Sequence, residues 1–71
     1  MEGKWYKFAA GKLRESGEEV NGMTIIGMKQ ARKTLGVKLR VPFSEQVGII
    51  SDMESLGLVK RKDKNTLEIR E

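Results

Sequence analysis

The stretch Ile50-Ser51-Asp52-Met53-Glu54-Ser55-Leu56-Gly57-Leu58-Val59-Lys60-Arg61-Lys62 decides how this chain folds. With Ile49 added, its apolar residues fall at Ile49, Ile50, Met53 and Leu56, the spacing of one helical face. Leu58-Val59 opens an extended pattern instead. Gly57 separates the two, where a helix C-terminus favours a residue free to take positive φ. Beyond it the chain alternates as far as Ile69, and Asp63-Lys64-Asn65 supplies turn residues in the middle. A helix, a glycine stop and a basic-tipped hairpin is the local reading.

Toward the N-terminus, Pro42 holds Val41 extended and bars this helix from starting earlier. It is predicted over residues 44–56, with Ser44 as N-cap and Glu45 and Gln46 in a first turn that suits the helix dipole. Val37-Lys38-Leu39-Arg40-Val41-Pro42 alternates like a strand. We read it as an extended loop, with Val37, Leu39 and Val41 packed inward and Lys38 and Arg40 outward. Such a loop exceeds the roughly 3–4 residues of a tight helix-turn-helix connection. A second helix over residues 25–35 takes its spacing from Ile25 or Ile26, Met28, Ala31 or Arg32, and Leu35, and Gly36 is its stop. Its outer face carries Lys29, Gln30 and Lys33.

Met23-Thr24-Ile25 has the character of a short strand, after a polar connection over residues 18–22 in which Asn21-Gly22 signals a turn. A first helix over residues 3–16 gathers Trp5, Phe8, Ala9 and Leu13 on one face and ends at Gly17. Tyr6 and Ala10 widen that stripe. The extra width fits either a homodimer contact or a tyrosine ring at the core edge with its hydroxyl in water.

Seventy-one residues imply a single domain, 1–71, that buries about 60–65% of its unfolded surface. Without cysteine or histidine, the chain has no disulfide, no thiolate for a metal and no imidazole base. No apolar run approaches the ~20 residues that span a bilayer, and no signal-peptide pattern opens the chain. A cytoplasmic protein, with neither metal nor cofactor, is the expectation.

The net charge of +4 matters less than its layout. Between Val20 and Ser44 no acid occurs, whereas Lys29, Arg32, Lys33, Lys38 and Arg40 do. A second basic cluster holds Lys60, Arg61, Lys62 and Lys64. Acids collect at Glu15, Glu18 and Glu19, and on the last helix at Glu45, Asp52 and Glu54. Segregation of this kind attracts polyanions; the plainer reading is a lysine-rich solvated surface.

The order helix, short strand, helix, helix, hairpin resembles the winged helix-turn-helix family of DNA-binding proteins. The resemblance is sharpest over Ile49-Ile50-Ser51-Asp52-Met53-Glu54-Ser55-Leu56-Gly57-Leu58-Val59-Lys60-Arg61. The multiple-antibiotic-resistance and arsenical-resistance regulators have a similar junction, in which a glycine ends the recognition helix and an aliphatic pair leads into the wing. As an architecture the likeness covers about residues 23–69. It implies an α+β, mostly helical fold of three helices and a C-terminal wing, in which residues 23–25 pair with the wing. It further implies binding to double-stranded DNA by a nucleoid-associated transcriptional regulator acting through site occupancy.

On that resemblance the third helix enters the major groove with Ser44, Glu45, Gln46, Val47, Gly48 and Ser51. Lys29, Lys33, Lys38 and Arg40 meet phosphates, and the wing adds Lys60, Arg61, Lys62, Lys64 and Asn65. The third helix lacks arginine and lysine, so the common bidentate contact to guanine is missing from it; Gln46 is the candidate for adenine. A second copy docking through Trp5, Tyr6, Phe8 and Leu13 would make the DNA site palindromic. The rival expectation is a winged helix that binds a protein through its acidic third helix. Catalysis is disfavoured, since the carboxylates are scattered and no phosphate-cradling loop is present. No small-molecule ligand is expected, and the methionines read as core filler.

Overall fold

The computed structural model describes residues 3–70. Among them three helices and four strands follow in the order α1 (Gly3–Ser16), β1 (Glu18–Val20), β2 (Met23–Gly27), α2 (Met28–Lys38), α3 (Phe43–Ser55), β3 (Val59–Asp63) and β4 (Thr66–Ile69). The strands form one antiparallel sheet in the order β1-β2-β4-β3, so the class is α+β.

Strand alternation builds the inner face of the sheet. Thr24 and Ile26 of β2 stand opposite Ile69 and Leu67 of β4, and Val59 of β3 flanks Ile69 on its other side. Against these pack Leu13 of α1, Leu35 of α2, and Ile50 and Met53 of α3, all fully buried. Both sheet edges are short and charged, with Glu18 and Glu19 on β1 and Lys60, Arg61 and Lys62 on β3, which discourages edge-to-edge pairing.

The junction after α3 follows the expectation. Gly57 has φ 79°, its N–H donates to the Glu54 carbonyl, and the Leu58 N–H donates to the Met53 carbonyl. That pair of bonds is the Schellman closure of a helix. The hairpin turns on Lys64-Asn65, where the Asn65 N–H donates to Oδ1 of Asp63 at 2.8 Å, and Lys62 is a bulge between paired Arg61 and Asp63.

Elsewhere the expected boundaries are corrected. Residues 18–20, read as a polar connection, form edge strand β1, joined to β2 by Asn21 and Gly22, both at positive φ. Strand β2 extends to Gly27, so α2 begins at Met28 rather than Ile25. Ile25-Ile26 satisfies either period, and pairing of Ile26 with Leu67 decides for the strand. The hairpin turn then fixes the helix start, because the Met28 N–H donates to the Asn65 carbonyl at 2.7 Å.

Gly36 does not stop α2. It lies inside the helix, where an added Cβ would sit 2.9 Å from Nε2 of Gln46, so its bareness lets α3 approach. The helix runs on through Val37, which is exposed rather than inward, and Lys38. The extended loop expected over residues 37–42 shrinks to residues 39–42, of which Val41 is buried and Leu39 half-buried. Arg40 turns the chain at φ 56°, and the Val41 N–H donates to the Leu35 carbonyl. Pro42, not Ser44, occupies the N-cap of α3, with no side-chain cap. Ser44 lies one residue inside the helix, and the Glu45 N–H donates to the Pro42 carbonyl.

Helix α1 has the expected ends and a rotated face. Tyr6, Ala9, Ala10 and Leu13 are buried, while Phe8 is 55% exposed. Two stripes overlap in this sequence, and the buried one pairs small alanines with a tyrosine whose hydroxyl has a partner. It donates to Oδ2 of Asp52 on α3 at 2.7 Å instead of standing in water. That bond, then burial, then the Asp52 charge push the Tyr6 phenol above its ordinary range. Tyr6 and Leu13 are therefore spent in the chain's own core, and of the four residues expected at a dimer contact only Trp5 and Phe8 offer substantial surface. Among the described residues no helix is long and apolar enough to cross a membrane.

Candidate nucleic-acid interface

Helix α3 presents its core stripe, Gln46, Ile50 and Met53, to the molecule and leaves Ser44, Val47, Gly48, Ser51 and Ser55 on the opposite arc, all exposed. Along one side of that arc, at Phe43 and Val47, the two basic segments come together. One depression between α2 and α3 is lined by Lys29, Arg32, Lys33, Val37 and Phe43, with Gly36 and Gln46 at its floor. A second, where α2 meets the hairpin turn, is lined by Gly27, Met28, Lys29, Arg32 and Asn65. A third, between α2, α3 and the hairpin, is lined by Met28, Arg32, Val47, Ile50, Arg61 and Lys64. Arg32 belongs to all three, so the basic residues of α2 and of the hairpin border one continuous surface. Among the described residues that line it, none is a carboxylate.

The local reasons are visible in the chain. The Met28–Asn65 backbone bond clamps the hairpin turn to the first turn of α2, which fixes Lys64 relative to Lys29. Nη2 of Arg61 lies 3.5 Å from Oε1 of Glu54, tying the hairpin to the end of α3. Both partners are partly exposed, so that pair orients more than it stabilises. The Arg32 guanidinium stacks over the Phe43 ring at 4.3 Å from its centroid. Its Nε is buried with no hydrogen-bond partner among the described residues.

Lys29, Lys33, Arg61, Lys64 and Asn65 are thus brought together as the sequence suggested. Lys60 and Lys62 are exposed on the same strand, Lys60 opposite Glu68 and Lys62 at the bulge. Lys38 is exposed in the last turn of α2 and lines none of these depressions. Arg40 is on the other flank of α3, in a hollow shared with Trp5, Tyr6, Val41, Pro42, Glu45 and Ile49. Glu45 goes with it.

Gln46 corrects the expected reading most sharply. It is 6% exposed, and its Nε2 donates to the Val41 carbonyl at 3.2 Å, holding the α2–α3 connection closed. Its side chain is not offered to a base. Two residues outside the sequence-based selection stand out instead. Phe43 begins α3 at 73% exposure, and Arg32 stacks on it. Nothing in the spacing marked Phe43, because it continues the stripe that runs through Gln46, Ile50 and Met53; it stands exposed at the first position of α3, directly after Pro42. Arg32 was visible only as one of several cations. Its role depends on where Phe43 stands.

Among the described residues no group of three carboxylates gathers as a metal site. The chemistry available on this surface is cationic attraction around a slim helix with hydroxyl and apolar side chains. Comparison with known protein families, curated proteins and solved structures finds no match.

Proposed function

We propose that this chain is a winged helix-turn-helix protein that binds double-stranded DNA, with α3 in the major groove and the β3–β4 hairpin as a wing along the adjacent backbone or minor groove. One observation carries this reading: Lys29, Arg32 and Lys33 of α2 and Arg61 and Lys64 of the hairpin border a carboxylate-free surface beside the exposed arc of α3. Cations gathered along one flank of α3 suit a duplex, whose phosphates line the wall of the groove that such a helix enters. The short connection over residues 39–42 supports it too, being close to the length of a helix-turn-helix turn. Site occupancy on DNA, as in a small transcriptional regulator of the cytoplasm, is the role such a binder would serve.

The rival, docking of a protein through the acidic residues of α3, is weakened within the chain. Asp52 already accepts from Tyr6, and Glu54 is paired with Arg61.

Binding of a fluorescent duplex measured across a salt series tests the proposal. Five phosphate contacts at about 0.9 each predict that log K falls by about 4.5 per tenfold rise in salt. Weak binding with a flat salt response would refute it.

A further inference from the structure

The large side chains that α3 offers to a groove are apolar. Phe43 and Val47 lie one turn apart, 73% and 51% exposed. Gln46 is consumed by the Val41 carbonyl, and Glu45 shares the far hollow with Arg40. No guanidinium, ammonium or free amide on α3 remains to bond a base edge; the polar groups of its outer arc are the hydroxyls of Ser44, Ser51 and Ser55. A groove-facing helix so equipped can discriminate by shape and by apolar contact. The 5-methyl group of thymine is the one apolar feature that base edges display in the major groove.

We infer that Phe43 and Val47 read thymine methyl groups, so that base selectivity comes from apolar contact with 5-methylpyrimidines and affinity from the surrounding cations. This rests on the DNA-binding reading and specifies what it recognises. The neighbourhood favours that occupant over a protein. Arg32 lies on the Phe43 ring, with Lys29 and Lys33 lining the same depression, and Arg61 and Lys64 flank Val47. A second copy brought face to face on this patch would set these cations against their own equivalents. A polyanion with methyl groups between its phosphates meets both requirements. The guanidinium stacked on the phenyl ring also restricts its motion, which lowers the ordering cost when the ring is pressed against a base.

The test compares duplexes that differ only in pyrimidine methylation, an alternating d(A-T) duplex against d(A-U), and a d(G-C) duplex against its 5-methylcytosine form. The wild-type chain should bind each methylated duplex about four-fold tighter for every methyl it covers. Phe43→Ala and Val47→Ser should each shrink the ratio toward one while retaining the salt dependence. Both positions are exposed, and a thermal melt of each variant confirms that the fold is kept. Equal wild-type affinity for methylated and unmethylated duplexes, with steep salt dependence retained, overturns this inference and leaves DNA binding standing. Absence of binding to any duplex at low salt overturns both. Self-association abolished by Phe43→Ala would then assign the patch to a protein contact.

Discussion

Gly48→Ala should make the protein more stable and a weaker binder of DNA. In the interior of α3 a glycine costs about 0.8 kcal/mol relative to alanine, because its unfolded backbone has more freedom to lose. Nothing inside the molecule repays that cost. A Cβ built on Gly48 meets no atom within 4 Å, and the residue has no positive φ. The substitution should therefore stabilise by about 0.8 kcal/mol and raise Tm by about 3–6 °C for a domain of this size. If the exposed arc of α3 is pressed into a groove, the same methyl meets DNA. Overfilling a close contact costs roughly 1–3 kcal/mol, and a loss near 1.4 kcal/mol is tenfold in Kd. Gly11 of α1 is the matched control, a helical glycine whose added Cβ also meets nothing within 4 Å, but on a helix outside the basic surface. Gly11→Ala should give the same gain in Tm with unchanged Kd. Thermal melts and duplex-binding anisotropy on both variants decide the matter. If Gly48→Ala gains stability and binds with wild-type affinity, the helix backbone does not approach DNA there. If it loses stability, the space around Gly48 is not open as described.

Lys29→Ala should lower the slope of log K against log salt by about 0.9, whereas Arg40→Ala, on the far flank of α3, should leave it unchanged; equal slopes for the two variants would break the assignment of the surface. Gly57→Val puts a β-branched residue at φ 79° and should cost more than ~1 kcal/mol in urea unfolding, with a silent result ruling out the helix closure described above. The Tyr6 phenol holds its proton more tightly in the fold than in the unfolded chain, through its bond to Asp52, burial and the Asp52 charge. Its contribution is thus complete below the ordinary phenol value of 10.0 and declines as pH climbs from there through the raised folded value. Urea midpoints of wild type and Tyr6→Phe should show this part of the alkaline decline vanishing in the variant; identical alkaline profiles would deny the coupling.

The C-terminal third of the fold was legible because its chemistry is local. Gly57 closes a helix with its own neighbours, and Asp63-Lys64-Asn65 makes a turn from its own side chains. The middle was misread wherever a distant partner decides. Ile25-Ile26 fits strand and helix alike until Leu67 is placed beside Ile26. Gly36 has the composition of a stop, yet its reason is the Gln46 side chain arriving from another helix. On α1 the stripes through Phe8 and through Tyr6 are equally regular, and the choice depends on Asp52 standing within reach of a phenol. The cationic content of the candidate surface was readable from charge segregation alone. Its membership was not, because the fold admits Arg32 and sends Arg40 to the other flank of α3.

Three choices in this chain are poor ones for stability alone, and they lie on or beside one arc. Gly48 weakens the middle of α3 without relieving any crowding. Phe43 leaves most of an aromatic ring in water. Arg32 keeps a buried Nε without a hydrogen-bond partner and makes no ion pair among the described residues, although acids are plentiful on α3. In a domain this small such costs are a sizeable part of total stability. Glu54, an acid at the end of α3, is paired with Arg61 of the hairpin and leaves Arg32 free to meet an external anion. Local departures from the most stable residue concentrate at functional surfaces, and their concentration here is an argument for contact that is independent of net charge. It counts toward contact when the two readings of the lysines are weighed. A merely solvated basic face needs no bare helix backbone, no exposed phenyl ring and no arginine held without an acid, whereas a surface that closes on a duplex uses all three.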